Sequence, residues 1–339
     1  IPWGALCAEL LNIPHAVSIC EYGEIDHGFD FYYGFKESIK ALYNSSEQIF
    51  SITESVKNEV FKEINDTENK IDVVYRNVRF DDHISKKITS WNYNYKQKSE
   101  IKIAIFASIQ ESKGQEDIIR AGIELMKKNH NIKVYLFGYS DENYLNIIKN
   151  IIDSSEYKEN FVINEFTNDP ISNMMQMDII VSCSKNEALG RTLFEAVLLE
   201  KPIIYANSGG PKEVFEDGKH GLAYKCSDAY NLAEKLLFVI NNPSKTMQMV
   251  KTAKEYVLKT YTREKYSGKI ETRLRDLKSK GNKPKNSIQT LLNIDLLFKG
   301  QEMEIDRMKE LEKIYNKLKC NIAEKDNELI NVHNQLNEK

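Results

Sequence analysis

The sequence lacks the features that would place it in several common classes of protein. Its five cysteines are odd in number and widely scattered, and no CxxC or Cys/His spacing suggests a zinc site. No apolar run is long enough to span a bilayer, and no signal peptide is recognisable. The formal net charge of −3 gives no general attraction to nucleic acid or to an anionic membrane. We therefore expect a cytoplasmic protein with reduced cysteines, and peripheral association with the inner face of the membrane is the alternative location.

Familiar nucleotide and hydrolase motifs are also missing. There is no GxxxxGK[ST], which excludes a P-loop, and there is no GxGxxG after the first strand, which argues against a nicotinamide enzyme. Neither GxSxG nor HExxH occurs. No DxD-type group of carboxylates stands out at the end of a predicted strand. We therefore expect neither a metal nor another cofactor.

Strands and helices alternate regularly from residue 101 onward. Apolar runs bounded by polar residues predict strands at 101–107, 132–138, 161–166, 178–183, 202–206 and 222–225. Apolar residues at helical spacing predict helices at 115–128, 144–152, about 170–176, 191–200, 228–240, about 244–259 and 262–279. Such alternation is typical of a parallel sheet covered by helices on both faces. The sequence therefore predicts an α/β fold with a doubly wound domain over about 99–245, in which the glycine-rich stretch 207–221 forms a turn.

The first 98 residues contain fewer units of the same kind. Strands are predicted at 15–19 and 48–52, a helix at 54–62, and a last strand with its loop at 70–78. The chain begins at Ile1, and we expect a fragment whose upstream part is absent. We predict a partial N-terminal domain at 1–98, a C-terminal domain with crossing helices at 99–278, a linker at 279–290 and a coiled-coil helix at 291–339.

The coiled-coil prediction depends on a heptad pattern near the end of the chain. The heptad positions are Met308, Leu311, Tyr315, Leu318, Ile322, Lys325, Leu329, Val332 and Leu336. All but the lysine are apolar or aromatic. A single amphipathic helix docked on the body of the protein is the alternative. A coiled coil would serve self-association or would tether another module.

Polar clusters follow three of the predicted strands, at 108–114, 184–191 and 207–213. In doubly wound sheets, ligands bind outside the carboxyl ends of the strands. We therefore expect these three clusters, which are distant in sequence, to meet at one edge of the sheet.

Two glutamates in this region need explaining, because carboxylates are rarely buried without a partner. Glu195 lies in the apolar helix TLFEAVLLE, where the hydroxyls of a ligand would supply hydrogen-bond donors. Glu187 precedes Gly190 and the opening turn of that helix, whose free N–H groups suit a phosphate. Arg191 and Thr192 add donors there, and Lys113 offers a second positive charge. The alternative is that Glu195 faces solvent or pairs with a nearby lysine and that the cations are solvated.

The segment SKNEALGRTLFEA resembles the E-x7-E signature of the GT-B-fold retaining glycosyltransferases of family 4, also called glycosyl transferases group 1. Three further segments resemble the same family: IQESKGQEDII, NSGGPKEVFEDGKHGLAY and VVYRNV. The resemblance covers roughly residues 1–275. It implies two Rossmann-like domains, with a nucleotide-sugar held in the cleft mainly by the C-terminal one.

The resemblance also implies a role for several residues. Lys113 would contact the diphosphate, Glu187 would hold hydroxyls of the donor sugar near the reacting carbon, and Glu195 would bind the ribose hydroxyls. Further donor contacts are implied for Phe166, Thr167, Leu189, Gly190, Arg191 and Thr192. The segment ICEYGEIDHGF resembles a variant found in some members, and it makes Glu21, Glu24 and His27 candidates that face the acceptor.

The sequence departs from the family at two places. Ala107 and Ser108 stand where many members have Gly-Arg, so one phosphate-binding arginine is missing, and Arg191 is a candidate substitute. Cys20 and Glu21 stand where many members have a histidine.

The expected activity is the metal-independent transfer of a sugar, with retention, from a nucleoside-diphosphate sugar to a hydroxyl of a saccharide or lipid-linked acceptor. Bacterial polysaccharide or glycoconjugate synthesis is the expected setting. A non-catalytic scaffold with a degenerate transferase body and a nucleotide-sugar epimerase are the alternatives.

Overall fold

The computed structural model describes residues 13–23, 35–77, 98–164 and 167–279, together with the single residues Ala5, Ala8, Tyr93 and Tyr95. The predicted coiled coil at 291–339 and all but the first residue of the predicted linker lie outside the described residues. The described residues fall into two compact units. One contains residues 13–15 and helix α1, Phe35–Ser45, which the sequence analysis does not predict. The other contains both β-sheets and the remaining helices. The predicted domain boundary at residue 98 therefore stays a prediction.

The smaller sheet has three parallel strands in the order β1-β2-β3. Its strands are β1 Ala16–Ile19, β2 Gln48–Ser51 and β3 Ile71–Val73. Helix α2, Glu54–Val60, follows β2 and is capped by Thr53, whose hydroxyl accepts a hydrogen bond from the backbone N–H of Val56. These elements confirm the predicted strands and helix of the N-terminal part.

The larger sheet has six parallel strands in the order β6-β5-β4-β7-β8-β9. Its strands are β4 Ile101–Phe106, β5 Ile132–Phe137, β6 Phe161–Asn164, β7 Ile179–Ser182, β8 Ile203–Ala206 and β9 Leu222–Tyr224. The chain builds outward from β4 in one direction and then returns to build outward from β7 in the other. A crevice forms at such a reversal, outside the carboxyl ends of the two central strands.

Eight helices accompany the larger sheet in the described part of the chain. They are α3 Gln115–Lys127, α4 Glu142–Asp153, α5 Pro170–Met175, α6 Arg191–Leu198, α7 Gly209–Val214, α8 Ala229–Asn241, α9 Pro243–Thr260 and α10 Arg263–Ser279. None of the helices in that part combines the length and the apolar composition that a membrane span requires.

The core of the larger sheet explains why its strands read as apolar runs. Strands β7 and β8 are buried at every position, and β4 is buried at five of its six residues. Strands buried on both faces need apolar side chains throughout, without the alternation of a half-exposed strand. Helices α3 and α8 pack against each other and cover one region of this core with buried residues such as Ile118, Leu125 and Leu236.

One prediction for this region is wrong. The stretch 207–221 is not a simple turn, because it contains helix α7. The two glycines that favour a turn serve close packing instead. A Cβ atom on Gly209 would lie 2.4 Å from the carbonyl oxygen of Glu187, and one on Gly210 would lie 2.2 Å from that of Ala188. The glycines therefore let a short helix begin directly against the loop that follows β7.

Candidate functional site

A cavity of about 660 Å³ lies at the carboxyl ends of the strands. One side is formed by Cys20, Glu21, Ile52 and Arg76, which follow the three strands of the smaller sheet. The other side is formed by residues that follow β4, β5, β6 and β7 of the larger sheet, and by the first turns of α6. The volume is within the usual range for a site that binds a small organic ligand.

The three predicted polar clusters meet beside this cavity, as the sequence predicts. The backbone N–H of Lys185 donates to the carbonyl oxygen of Ser112 at 2.9 Å, which joins the loop after β7 to the loop after β4. The Ser208 hydroxyl donates to the carbonyl oxygen of Ser184 at 3.1 Å, and the Gly210 N–H donates to that of Glu187 at 2.8 Å. These bonds join the third cluster to the second.

Gly114 permits the close approach of the first two clusters. Its φ angle is +64°, and a Cβ atom there would lie 2.4 Å from the carbonyl oxygen of Cys183, at the end of β7. A side chain would therefore be strained by its backbone conformation and would also clash with a neighbouring backbone. The preceding residue, Lys113, ends a 3₁₀ turn at Glu111–Lys113 that directs the chain toward the β7 loop.

Lys113 and Glu187 form an ion pair within the cavity. The Nζ atom of Lys113 lies 3.2 Å from Oε2 of Glu187, and the two side chains are 13% and 22% exposed. The other carboxylate oxygen of Glu187, Oε1, accepts a hydrogen bond from the backbone N–H of Gly190 at 3.3 Å. The ammonium group, the carboxylate and the N–H group before helix α6 therefore lie side by side. All three are groups that can bind phosphate or sugar hydroxyls.

Glu195 lies on the same cavity, one turn into helix α6. It is half-buried, and no described residue donates a hydrogen bond to its carboxylate. Burial raises its pKa, and the positive charge of Arg191 opposes that rise. The alternative that Glu195 pairs with a lysine is therefore not seen among the described residues. A carboxylate in this position is available to hydroxyl groups of a ligand.

The beginning of helix α6 brings further predicted residues to the cavity. The helix starts at Arg191 after Gly190, whose φ angle is +82°, and this confirms the predicted opening turn. Leu189, Gly190, Arg191 and Thr192 all line the cavity. The first N–H groups of a helix and its positive dipole end attract anions.

The remaining predicted site residues divide into two sets. Thr167 and Glu21 line the cavity, Thr167 after β6 and Glu21 after β1. Phe166, Glu24 and His27 lie outside the described residues. Among the residues that the structure describes, no group of three or more His, Cys, Asp or Glu side chains is arranged to hold a metal ion.

The cavity also contains Arg76 and three aromatic residues that the sequence motifs do not assign to a site. The rings of Phe106 and Phe137 stack with centroids 4.5 Å apart and line the cavity at the ends of β4 and β5, beside Tyr139. Arg76 follows β3. The rule that ligands bind at the carboxyl ends of parallel strands could have found Arg76, because the residue lies just after a predicted strand.

Glu213 of helix α7 joins the two sides of the cavity. Its carboxylate accepts hydrogen bonds from the backbone N–H groups of Glu54 and Ser55, at the start of α2, and from the Tyr75 hydroxyl. The Thr53 hydroxyl donates to the carbonyl oxygen of Ala188 at 3.0 Å. These bonds fix the residues that follow β2 and β3 against those that follow β7 and β8.

Comparisons with known proteins agree with this architecture. Residues 89–256 match the family described as Glycosyl transferases group 1. The chain is 26% identical over 206 residues to the capsular polysaccharide biosynthesis glycosyltransferase CapM of Staphylococcus aureus. This alignment covers 58% of this chain and 53% of CapM. It is 23% identical over 141 residues to a poly(ribitol-phosphate) alpha-N-acetylglucosaminyltransferase of the same species. This alignment covers 41% of this chain and 28% of the transferase. The chain thus spans about half of the first relative and about a quarter of the second.

The fold is also similar to that of solved structures. Anabaena Alr3699/HepE, crystallised in complex with UDP, superposes with a TM-score of 0.69 at 18% identity, over 81% of this chain and 76% of that chain. The same protein has also been crystallised in complex with UDP-glucose. The parallel sheets and helices form a GT-B-like α/β fold. Residues 89–256 of the chain are therefore similar to glycosyl transferases group 1, and the described part of the chain has a GT-B-like fold.

Proposed function

We propose that the chain transfers a sugar from a nucleoside-diphosphate sugar to a hydroxyl group of a saccharide or lipid-linked acceptor, with retention of the anomeric configuration. The observation that carries the proposal is the meeting of Lys113, Glu187 and Glu195 in one cavity at the carboxyl ends of β4 and β7. Each of the three side chains suits a different part of such a donor.

The donor would be held along the larger-sheet side of the cavity. Lys113, Arg191 and the N–H groups at the start of α6 would bind the diphosphate, and Glu187 would bind hydroxyls of the donor sugar. The half-buried carboxylate of Glu195 would bind the ribose hydroxyls. Backbone contacts at Phe166 and Thr167 would hold the base. HepE has been crystallised with UDP and with UDP-glucose, which supports a nucleotide-sugar as the donor.

In the reaction, the bond from the anomeric carbon to the diphosphate oxygen breaks, and the electron pair leaves with the diphosphate. The acceptor hydroxyl passes its proton to the departing diphosphate oxygen as its own oxygen bonds to the same face of the sugar. Negative charge grows on the leaving diphosphate, so preorganised cations and N–H groups lower the barrier. We propose that Lys113, Arg191 and the start of α6 supply this stabilisation without a metal ion. Glu21 and His27 are proposed to face the acceptor.

The setting and the assembly of the protein are proposals too. The relatives' names refer to capsular polysaccharide and to poly(ribitol-phosphate). They support a role in bacterial polysaccharide or glycoconjugate synthesis, carried out in the cytoplasm or at the inner face of the membrane. Self-association through residues 291–339 follows from the heptad pattern alone. Light scattering tests it, and a monomer would contradict it.

The test of the proposed function is a screen of nucleotide-sugars for release of nucleoside diphosphate, with and without a mixture of sugar acceptors. We expect turnover of at least one donor, unchanged by a chelator, and product of retained configuration by proton NMR. Turnover abolished by the chelator would contradict metal independence. A chain that binds no nucleoside diphosphate and consumes no donor would be a scaffold. Isomerisation of the donor sugar without an acceptor would indicate an epimerase.

A further inference from the structure

Arg76 is a cation that lines the cavity but is not part of the proposed donor site. It lies three residues after the end of β3, and it lines the cavity on the same side as Cys20, Glu21 and Ile52. The residue is exposed, and no described residue accepts a hydrogen bond from it or forms an ion pair with it. Its guanidinium group is therefore available to a ligand.

The other two cations among the described residues of the cavity lie near carboxylates. Lys113 lies 3.2 Å from Glu187, and the positive charge of Arg191 opposes the rise in the pKa of Glu195 that burial causes. Arg76, by contrast, forms neither an ion pair nor a hydrogen bond with any described residue.

The backbone that carries Arg76 is held in place. The hydroxyl of the preceding residue, Tyr75, donates to Glu213 at 3.0 Å, and the backbone N–H of Val74 donates to the carbonyl oxygen of Ser51 at 2.9 Å. Because Glu213 also binds the start of α2, the segment after β3 is fixed to two other elements. A cation on an anchored backbone loses less conformational entropy when it binds a ligand than one on a free loop does.

We infer that Arg76 forms an anion subsite on the small-sheet side of the cavity, and that this subsite takes a phosphate or carboxylate group of the sugar acceptor. The planar guanidinium group binds such anions through two parallel hydrogen bonds. The acceptor is the source of the anion because the residues proposed to hold the donor diphosphate lie on the larger-sheet side. The inference rests on the proposed function, since it assigns the acceptor of that same site.

The test uses the chain saturated with UDP and three sugar probes that differ in charge. Methyl glucoside, methyl glucuronoside and methyl glucoside 6-phosphate are titrated by calorimetry into the wild type, Arg76→Gln and Arg76→Lys. UDP and uridine are titrated into the same three proteins without a sugar. Arg120→Gln is the matched control, because Arg120 lies on the surface of α3, where it pairs with Glu116 outside the cavity.

We expect the wild type and Arg120→Gln to bind the charged glucosides at least about tenfold more tightly than the neutral one, the usual worth of a charged hydrogen bond. Arg76→Gln should lose this preference, and Arg76→Lys should keep part of it, because lysine retains the charge without the planar fork. The affinity for UDP should change less than about twofold in either variant, because Arg76 is not part of the proposed donor site. An unchanged affinity for UDP also shows that the variants are folded.

Two results would overturn the inference while the proposed function stands. One is equal binding of charged and neutral glucosides by a wild type that binds UDP. The other is a loss of UDP affinity in Arg76→Gln of about tenfold or more with no change for uridine, which would assign Arg76 to the donor diphosphate. A wild type that neither binds UDP nor consumes any nucleotide-sugar would instead reject the proposed function, and the inference with it.

Discussion

The two ends of the larger sheet each carry charged side chains with little exposure, but they use them differently. At the amino end, Lys201 precedes β8 and is 2% exposed, and its ammonium group donates to the carbonyl oxygens of Met175 and Met177, each at 2.7 Å. Asp178, which precedes β7, accepts hydrogen bonds from the Lys98 side chain and from the backbone N–H of Lys102. At this end the charged groups bind other parts of the chain.

At the carboxyl end, the charged groups surround a cavity. Lys113 and Glu187 bind each other at 3.2 Å, but the half-buried carboxylate of Glu195 has no hydrogen-bond partner among the described residues, and neither does the guanidinium group of the exposed Arg76. Buried charges are costly unless they are paired, so a protein that leaves them unpaired loses stability at that place. Burial alone therefore does not identify a charged group as functional. A functional charged group is better identified by its position beside a cavity and by the lack of a hydrogen-bond partner among the described residues.

The largest expected effect comes from the carboxyl end. Lys113→Ala and Glu187→Ala should each lower donor turnover by about a hundredfold or more, the usual loss when a group that stabilises transition-state charge is removed. Initial rates at saturating donor measure this, and the thermal midpoint of each variant shows whether it is folded. Wild-type rates in both variants would contradict the assignment of the cavity as a sugar-transfer site.

The second effect belongs to the amino end. Lys201→Met leaves two buried carbonyl groups without their donor, so the free energy of unfolding should fall by about 2 kcal/mol. The donor turnover of the folded variant should equal that of the wild type. Urea denaturation and initial rates measure the two quantities. A large loss of turnover with unchanged stability would break the contrast between the two ends.

A smaller effect is expected at Glu195. Replacement by glutamine keeps the shape but weakens hydrogen bonds from the ribose hydroxyls, so affinity for the nucleotide-sugar should fall by about tenfold. The wild type should also lose affinity on acidification, starting above the usual range of a glutamate, because burial raises the pKa of Glu195. The variant should lack this dependence. Titrations of the nucleotide-sugar at several pH values measure both effects, and equal pH profiles would contradict the role of Glu195.

The last prediction concerns the change of stability with each pH unit, which depends on Lys201. Burial lowers the pKa of Lys201 to about 7, so between about pH 7 and the usual lysine range the unfolded chain binds a proton that the folded chain does not. The free energy of unfolding of the wild type should therefore rise over this range relative to Lys201→Met, by at most about 1.4 kcal/mol per pH unit. Urea denaturation measures both proteins at several pH values. A difference in their free energies of unfolding that does not change with pH would contradict this prediction.

Much of the architecture follows from the sequence because the strands of a parallel sheet are uniformly apolar and each is followed by a helical period. The meeting of Lys113 with Glu187 follows from the same rule, since both come after strands that prove to be neighbours. Helix α7 does not follow, because its two glycines are required by the close approach of the Glu187 loop, a tertiary contact that no local pattern reports.

The sequence places Arg76 after a predicted strand but does not distinguish it from a solvated surface arginine. An arginine after a strand is usually solvated, and only the structure shows that the carboxyl ends of both sheets face one cavity. The open carboxylate of Glu195 is a similar case. Its apolar helix predicts burial, but the absence of a lysine partner in the described residues depends on packing.

The most direct test of the account is a calorimetric titration of UDP, GDP and ADP into the wild type and Lys113→Ala, with Arg120→Ala as the control. We expect at least one diphosphate to bind the wild type and the control equally, and we expect Lys113→Ala to weaken this binding by about tenfold or more. Uridine, guanosine or adenosine without phosphate should show no such difference. Binding that is absent from the wild type, or that is unchanged in Lys113→Ala, would contradict the claim that this cavity holds a nucleoside diphosphate.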